Sequence, residues 1–404
     1  MRTEDTATVD VFQAPELQEG YLVKVLSGLV AVNSTNPGTS EKKAAELVAD
    51  LLRDVCQVTF VESMPGRPSV AAVLRGTHDG PRLVLNGHLD TVPVDDVTLW
   101  SSDPFTPELR DGFVYGRGAC DMKSGLAAQV AVARFLAQRR DRLHGTLVLH
   151  FAVGEECAEP GTLSLLRAGF TGDLGIVTEP TDLKVATAER GLAFYRIRIN
   201  GRSIHASQVH LGVNPIPRLR AVLDVLQAYE DDIRLRTHAL LPSGSCTPTI
   251  VRAGVKENAV PDYCDIVVDR RMLPGETVDG EMEALQLRLS AIRASDADFD
   301  FAISALPSYF AAAEIDSSSA FAARVANAVE KVTGAPCEIF GTPYSSDVRN
   351  LINDAGMEAI TFGPGKATEC HCANERVSVA QLRDAARVLA TVAGDLLLAP
   401  SSSA

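Results

Sequence analysis

No basic block or stripe occurs anywhere in this sequence. Its 404 residues hold 38 Lys and Arg against 52 Asp and Glu, a formal net charge of −14, which argues against a nucleic-acid or other polyanionic partner. Long apolar runs are missing too: none approaches the ~18 residues of a membrane span, so no membrane partner is expected. The first residues, MRTEDTATVDVFQ, lack the basic-then-apolar order of a secretory leader, and the expectation is a cytoplasmic protein. Cysteine is sparse. The eight cysteines, at 56, 120, 157, 246, 264, 337, 370 and 372, are scattered rather than arrayed as a small disulfide scaffold, so they are expected to be reduced, and none stands in a zinc-ligand spacing. What remains is ordinary for a globular protein, 46% hydrophobic and 22% charged, with chain enough for a large core and a prior of two to three domains.

The chemistry begins in the stretch from Leu83 to Gly125. Val84-Leu85 closes a short apolar run at Asn86-Gly87, as the end of a buried strand does, and His88 and Asp90 follow at once. Residues two apart in an extended segment point to one side. Asp90 can therefore accept the hydrogen of one ring nitrogen of His88, fixing the tautomer and leaving the other nitrogen for a metal. About thirty residues on, Asp121 follows Gly116, Gly118 and Cys120, a glycine-rich approach that lets backbone come close to a buried site. Taken alone, His88 reads equally well as a core histidine.

Strands and helices alternate through this half. The pattern predicts helices over 15–32, 41–55, 123–138 and 162–168, and strands over 58–62, 69–75, 82–85, 145–153 and 174–177. Three of the apolar strands end at acidic or histidine residues: His88, Glu155-Glu156 and Glu179. That is the signature of an open α/β sheet whose site lies outside the carboxyl ends of its strands.

At about Leu192 the pattern changes to alternating apolar and polar residues. Strands are predicted near 193–201, 245–254, 260–271 and 298–304, with helices over 215–229 and 277–293, in the order β-α-β-β-α-β. This is the ferredoxin-like arrangement, with one exposed sheet face or edge. Beyond it come a helix over 317–333, a strand and loop at 338–347, a strand at 359–362 leading to Gly363-Pro364-Gly365 and His371, and a final helix over 379–398 before a Ser-Ser-Ser-Ala tail expected to be disordered. The first domain is thus read as 1–191 and 307–404, split by an inserted domain at 192–306.

His88, Asp121, Glu155, Glu156, Glu179 and His371 each come after an apolar segment. Two imidazoles with several carboxylates suit borderline-hard divalent metals, zinc first, with cobalt or manganese possible. With one carboxylate to bridge, the set divides into the two sites of a two-metal hydrolase. Glu155 and Glu156 cannot both point inward from extended backbone, but in a turn one can ligate while the other reaches a water. By itself this pair also reads as solvated acids at a strand end.

GHLDTVP, GRGACDMKSG, the Glu-Glu after an apolar strand, TEPT, DRRMLPGE and the His371-x-x-Asn374-Glu375 pattern together resemble the M20 metallopeptidase family, over essentially the whole chain. Within it they resemble the acetylornithine deacetylase, succinyl-diaminopimelate desuccinylase, aminoacylase and carboxypeptidase G2 group. The resemblance implies an α/β, mixed-sheet zinc-hydrolase catalytic domain with an inserted ferredoxin-like α+β domain that serves as lid and dimerisation surface, and two Zn²⁺ per subunit. By motif, His88 and Glu179 hold one metal, Glu156 and His371 the other, and Asp121 bridges; Asp90 orients His88 and Glu155 is the general base. His205, in GRSIHAS, matches a histidine that reaches the partner subunit's site to stabilise an oxyanion, although without the motif it reads as a surface-loop histidine. Asn258 and Arg271 match positions that grip a substrate carboxylate, and Arg270 should face the other way from its strand. Gly341-Thr342 and Gly363-Pro364-Gly365 resemble backbone-lined substrate loops and read equally as structural turns.

The resemblance implies hydrolysis of the amide bond of a small N-acyl amino acid by a homodimer. Glu179, where an Asp could stand, favours deacylases and carboxypeptidase-like members over the aminopeptidase branch. The alternatives are a dipeptidase or glutamate-type carboxypeptidase and, from another class, an inactive metal-stabilised binding protein. Two features depart from the pattern: Cys157-Ala158-Glu159-Pro160-Gly161-Thr162 after the acidic pair, where relatives commonly carry two glycines, and the thiols of Cys370 and Cys372 on either side of His371.

Overall fold

A computed structural model describes residues 10–399. The tail at 401–404 and most of the N-terminal stretch lie outside the described residues. The chain divides into two compact units, one made of Met1–Thr187, Ile315–Phe340 and Ser346–Ala404, the other of Ala188–Glu314 with Gly341–Ser345.

In the first unit the apolar runs become the middle of a mixed sheet. His144–Ala152, His78–His88, Leu174–Val177 and Glu358–Thr361 lie side by side and parallel. Arg67–Arg75 and then Gln57–Met64 extend it antiparallel on one side. Along the parallel strands Leu83, Leu85, Leu147 and Leu149 enter one apolar cluster, while Val84, Val148 and Val177 enter another on the opposite face. Both faces are buried, which is why these strands read as continuous apolar runs rather than alternating ones. The helix Ser124–Ala137, almost wholly buried, opens directly behind Asp121. It packs against the last helix, Val379–Leu397, whose start is capped by the Ser378 hydroxyl.

Two expectations for this unit are corrected. The helix expected over 15–32 is a turn of 3₁₀ helix at Pro15–Leu17 and then a helix at Glu19–Val30, because Gln18 takes an extended conformation between them. A three-stranded sheet of Glu108–Arg110, Phe113–Tyr115 and Arg376–Ser378 was not foreseen; strands of three residues carry no periodic signal.

The second unit has the β-α-β-β-α-β order. Its sheet runs Ser245–Ala253, Tyr263–Met272, Gly191–Asn200, Asp300–Ala305, antiparallel throughout. The helices Leu219–Arg234 and Val278–Ser290 cover one face, where Tyr195, Ile197 and Ile199 meet Val222, Leu226, Leu285 and Leu289. Ser245–Ala253 is an edge strand, exposed from Thr247 onward. The helix expected over 215–229 begins and ends later than read, and the strand expected over 260–271 is interrupted. Ala259–Val260 pairs with Ile204–His205 instead, and the main strand starts at Tyr263, after Pro261, which has no N–H to give to a ladder.

Candidate active site

Every candidate metal ligand except Asp121 and His371 sits at, or within a few residues beyond, the carboxyl end of a central parallel strand. His88 ends its own strand and pairs across to Ala152, beyond which the chain turns at Gly154 into Glu155 and Glu156. Glu179 stands two residues past Val177. Asp121 comes in from the segment leading into the Ser124–Ala137 helix, and His371 from the loop after Glu358–Thr361, with a left-handed φ of 58°.

The distances sort these side chains into two sets about Asp121. One of its carboxylate oxygens is 3.2 Å from His88 Nε2, which is also 3.3 Å from Glu179 Oε1. The other oxygen is 3.2 Å from His371 Nε2, itself 3.3 Å from Glu156. Glu155 is farther off, 4.0 Å from His88 Nε2. Ligand atoms of His88, Asp121 and Glu156, and of His88, Glu155 and Glu179, each lie within 4.8 Å of one another, and both groups can hold a metal ion. Donors about 2.0–2.1 Å from zinc at tetrahedral angles stand roughly 3.3–3.4 Å apart. The observed separations fit that spacing.

The electrostatics fit as well. Burial, with the charge of Asp121 beside it, pushes Glu179 up to about 8. Burial also raises Glu155 well above the usual carboxylate range and raises Glu156. Hydrogen bonds to Asp121 and Glu156 push His371 up to about 11. His88 is raised although burial opposes it, chiefly by Glu179 and Asp121, while Asp121, against its own burial, is held low by the two histidines. Crowded, water-excluded carboxylates of this kind bind cations to relieve their repulsion.

Supporting groups fix the ligands, and most were not visible in the sequence. The 3.0 Å bond from His88 Nδ1 goes to the backbone carbonyl of Asp90, while the Asp90 carboxylate lies 3.5 Å from that nitrogen. The carboxylate itself accepts the backbone N–H groups of Gly154, Glu155 and Glu156 and the Asn36 amide. Asp90 thus orients His88 partly through its main chain and pins the turn that presents both glutamates. From Asn36 the network continues to Glu159, then Arg67, then the fully buried Glu41. Glu159 belongs to the departing CAEPGT segment. On the other side Glu375, paired with Arg117, accepts the N–H groups of Cys120 and Asp121 and so fixes the backbone that presents Asp121. Glu375 lies within the His-x-x-Asn-Glu pattern, the one signal in the sequence that points to it.

Gly363 approaches the Glu179 segment so closely that a Cβ would lie 2.5 Å from the Thr178 carbonyl oxygen. It acts as packing beneath a ligand. Asn258, Arg271, His205 and Gly341 belong to the second unit. His205 is exposed, and its Nδ1 accepts the Ser207 backbone N–H, which leaves the proton on Nε2. Asn258 lies beside it, its carbonyl accepting the N–H of Ala206. Arg270 is buried against Glu276 and Glu281, whereas Arg271 faces the other way and forks onto Asp269. Near Arg271 lies Arg190, unforeseen, bonded to the carbonyls of Pro343 and Ser243. A Cβ on Gly341 would lie 2.5 Å from the Leu241 side chain, so that glycine serves packing within the unit.

Residues 84–395 match the model of peptidase family M20/M25/M40. The chain is 32% identical over 313 residues to succinyl-diaminopimelate desuccinylase from Azoarcus sp. strain BH72, covering 74% of this chain and 78% of the relative. It is 27% identical to N-formyl-4-amino-5-aminomethyl-2-methylpyrimidine deformylase from Bacillus subtilis strain 168, covering 80% and 82%. Among solved structures, the YXEP protein of Bacillus subtilis, described as a dinuclear metal binding peptidase from the M20 family, superposes with a TM-score of 0.70 at 18% identity over 94% of this chain and 98% of that one. A match that begins in the strand of His88 and ends in the last helix takes in every candidate ligand of the cluster, and the chain therefore belongs to peptidase family M20/M25/M40 and is a hydrolase.

Proposed function

We propose that the protein hydrolyses the amide bond of a small N-acyl amino acid, using two divalent metals, zinc first with cobalt or manganese as substitutes. The observation that carries the reading is Asp121, whose two oxygens face the two imidazoles at 3.2 Å each. His88 and Glu179 would hold one metal, Glu156 and His371 the other, with Asp121 shared. Bound metals would make a water nucleophilic near neutral pH and polarise the scissile carbonyl. Glu155 takes the proton from that water and delivers it to the leaving nitrogen; its longer distance from His88 and its burial, which raises its affinity for a proton, suit a base better than a ligand. His205, with its hydrogen on the exposed Nε2, would donate to the oxyanion in the partner subunit's site. Asn258 and Arg271 would take the substrate carboxylate, with Asp269 giving up its place on the guanidinium.

The two relatives remove a succinyl and a formyl group from nitrogen, as their names state, which supports an acyl amide as substrate. The exposed edge of Ser245–Ala253 supports a homodimer, since two such edges paired about a two-fold axis satisfy each other's backbone groups. All eight cysteines are free, in keeping with the cytoplasm. No helix among the described residues is long and apolar enough to cross a membrane.

The test is a screen of N-formyl, N-acetyl, N-succinyl and long-chain acyl amino acids for release of a primary amine, with and without added Zn²⁺ or Co²⁺. Metal-dependent release from one group of substrates is expected. Two equivalents of tightly bound metal with no turnover on any of them would overturn the reading in favour of a binding protein.

A further inference from the structure

The side chain before the bridging carboxylate and the side chain before the loop histidine meet. Cys120 Sγ and Cys370 Sγ are 3.6 Å apart, and both face the carbonyl oxygen of Lys366, at 3.4 and 3.5 Å. Nothing separates the two sulfurs. Gly365, with a left-handed φ of 95°, brings its backbone so near that a Cβ would lie 2.5 Å from Cys120 Sγ. The two thiols differ in access: Cys120 is buried, Cys370 partly exposed. Cys372, on the other side of His371, turns instead toward the carbonyl oxygen of Glu369.

We propose that Cys120 and Cys370 form a reversible disulfide in response to a peroxide, and that the bond loosens the metal centre. The balance is that of a two-electron oxidation. Hydrogen peroxide transfers one oxygen to the sulfur of Cys370, the less buried of the two residues, giving a sulfenic acid and one water; the Cys120 sulfur then attacks the Cys370 sulfur, the S–S bond forms and a second water leaves. A dithiol reductant restores both thiols. The sulfurs must close from 3.6 Å to about 2.05 Å. Cys120 is held by its N–H on Glu375, whereas Cys370 sits in the irregular stretch between Glu369 and Arg376, so Cys370 makes most of the move. It carries His371 with it, and the spacing of His371 from Asp121 and Glu156 is what fits a metal. The consequence for metal binding rests on the metal centre proposed above; the disulfide itself does not.

The experiment treats the full-length protein, metal-free and metal-loaded, with hydrogen peroxide, and maps the peptides by mass spectrometry without reduction. One linked pair, Cys120 with Cys370, two hydrogens lighter than the thiols, is expected in both preparations. The loaded protein should bind metal roughly 10- to 100-fold more weakly, the size of effect seen when groups supporting a ligand are disturbed, and dithiothreitol should restore it. Cys370→Ser should keep activity and metal in peroxide, and Cys372→Ser should respond as wild type does. A bond to Cys372, or only sulfinic acid at Cys370, would overturn the proposal, as would a mapped Cys120–Cys370 bond that leaves metal affinity unchanged. Because the mapping needs no substrate, a failed hydrolysis screen would leave it standing.

Discussion

The two halves of the proposed metal centre are built differently. His88 and Glu179 are set at the ends of adjacent parallel strands and are buried, with His88 only 1% exposed. His371 hangs from a loop with its side chain 51% exposed, and its partner Glu156 comes from a turn held by Asp90. The same donor types at the same distances therefore stand on supports of unequal stiffness. A ligand fixed by sheet hydrogen bonds and by packing loses little entropy on binding, whereas a loop ligand must be ordered and is open to water. The strand half should hold its metal tightly, and the loop half should be where metal, oxidant and solvent exchange.

Glu155 stands nearest the strand half without belonging to it, and replacing it gives the largest expected effect. Glu155→Gln should keep both metals and lose roughly 10²- to 10⁴-fold in kcat. Metal content and kcat need to be read on one preparation. If a metal leaves with the substitution, Glu155 is a ligand and its role has been exchanged with that of Glu156.

His205 lies in neither half. His205→Ala should lose about 10²- to 10³-fold in kcat with metal content untouched. Mixing His205→Ala with Glu155→Gln chains under subunit exchange should restore activity toward a quarter of wild type, because half of the randomly formed dimers are mixed and each mixed dimer has one whole site. Exchange shown by mass labelling without recovery would mean that His205 does not act across subunits.

The halves themselves are separated by paired substitutions. His371→Ala should retain about one tightly held metal and His88→Ala only a weakly held one in the loop half, because without its imidazole the strand half is a buried pocket of carboxylates alone. Asp90→Asn should weaken both metals roughly 10- to 100-fold, since Asp90 supports His88 through its carbonyl and Glu156 through its carboxylate. Equal affinity for the remaining metal in His371→Ala and His88→Ala would erase the distinction.

The strand half was also the more legible in the sequence. His88, Glu155 and Glu179 stand out because a strand buried on both faces is a continuous apolar run, and a polar residue at its end contrasts with it. The alternating pattern of the second unit was equally plain, as its sheet has one face against helices. Most of the supports were not legible. The spacing pointed to Asp90 beside His88, but its grip on the Gly154–Glu156 turn, the Asn36 amide on its carboxylate, and Glu375 on the Asp121 N–H join distant segments, and no local spacing encodes such a contact. Glu159 first appeared only as a departure from a glycine pair, yet it links Asn36 to Arg67. Gly341 resembled a substrate loop because a tight packing position and a binding loop both require glycine.

The smallest effect is on stability, and it has a definite sign. In the metal-free protein Glu179 titrates near 8 instead of 4.5, through burial and then the charge of Asp121, and His371 near 11 instead of 6.5, through Asp121 and Glu156. Between pH 6.5 and 8 both therefore hold protons in the folded state that the unfolded chain has released, and His88, also raised, acts in the same direction. Stability falls with rising pH wherever the folded state binds more protons. Lys123, brought down by burial to about 7, opposes this only from about pH 7 upward, and His150, brought down by burial to about 4, opposes it only near the low end of the window, where the unfolded imidazole still holds part of its proton. Calorimetry in chelator should thus show Tm falling from pH 6.5 to 8, while the zinc-loaded protein, its carboxylates compensated, stays nearly level. In metal-free His371→Ala the fall should shrink but persist, because Glu179 and His88 remain buried in the strand half. A slope that vanishes in that variant would assign the uncompensated charge to the loop half alone and reverse the order of the two halves.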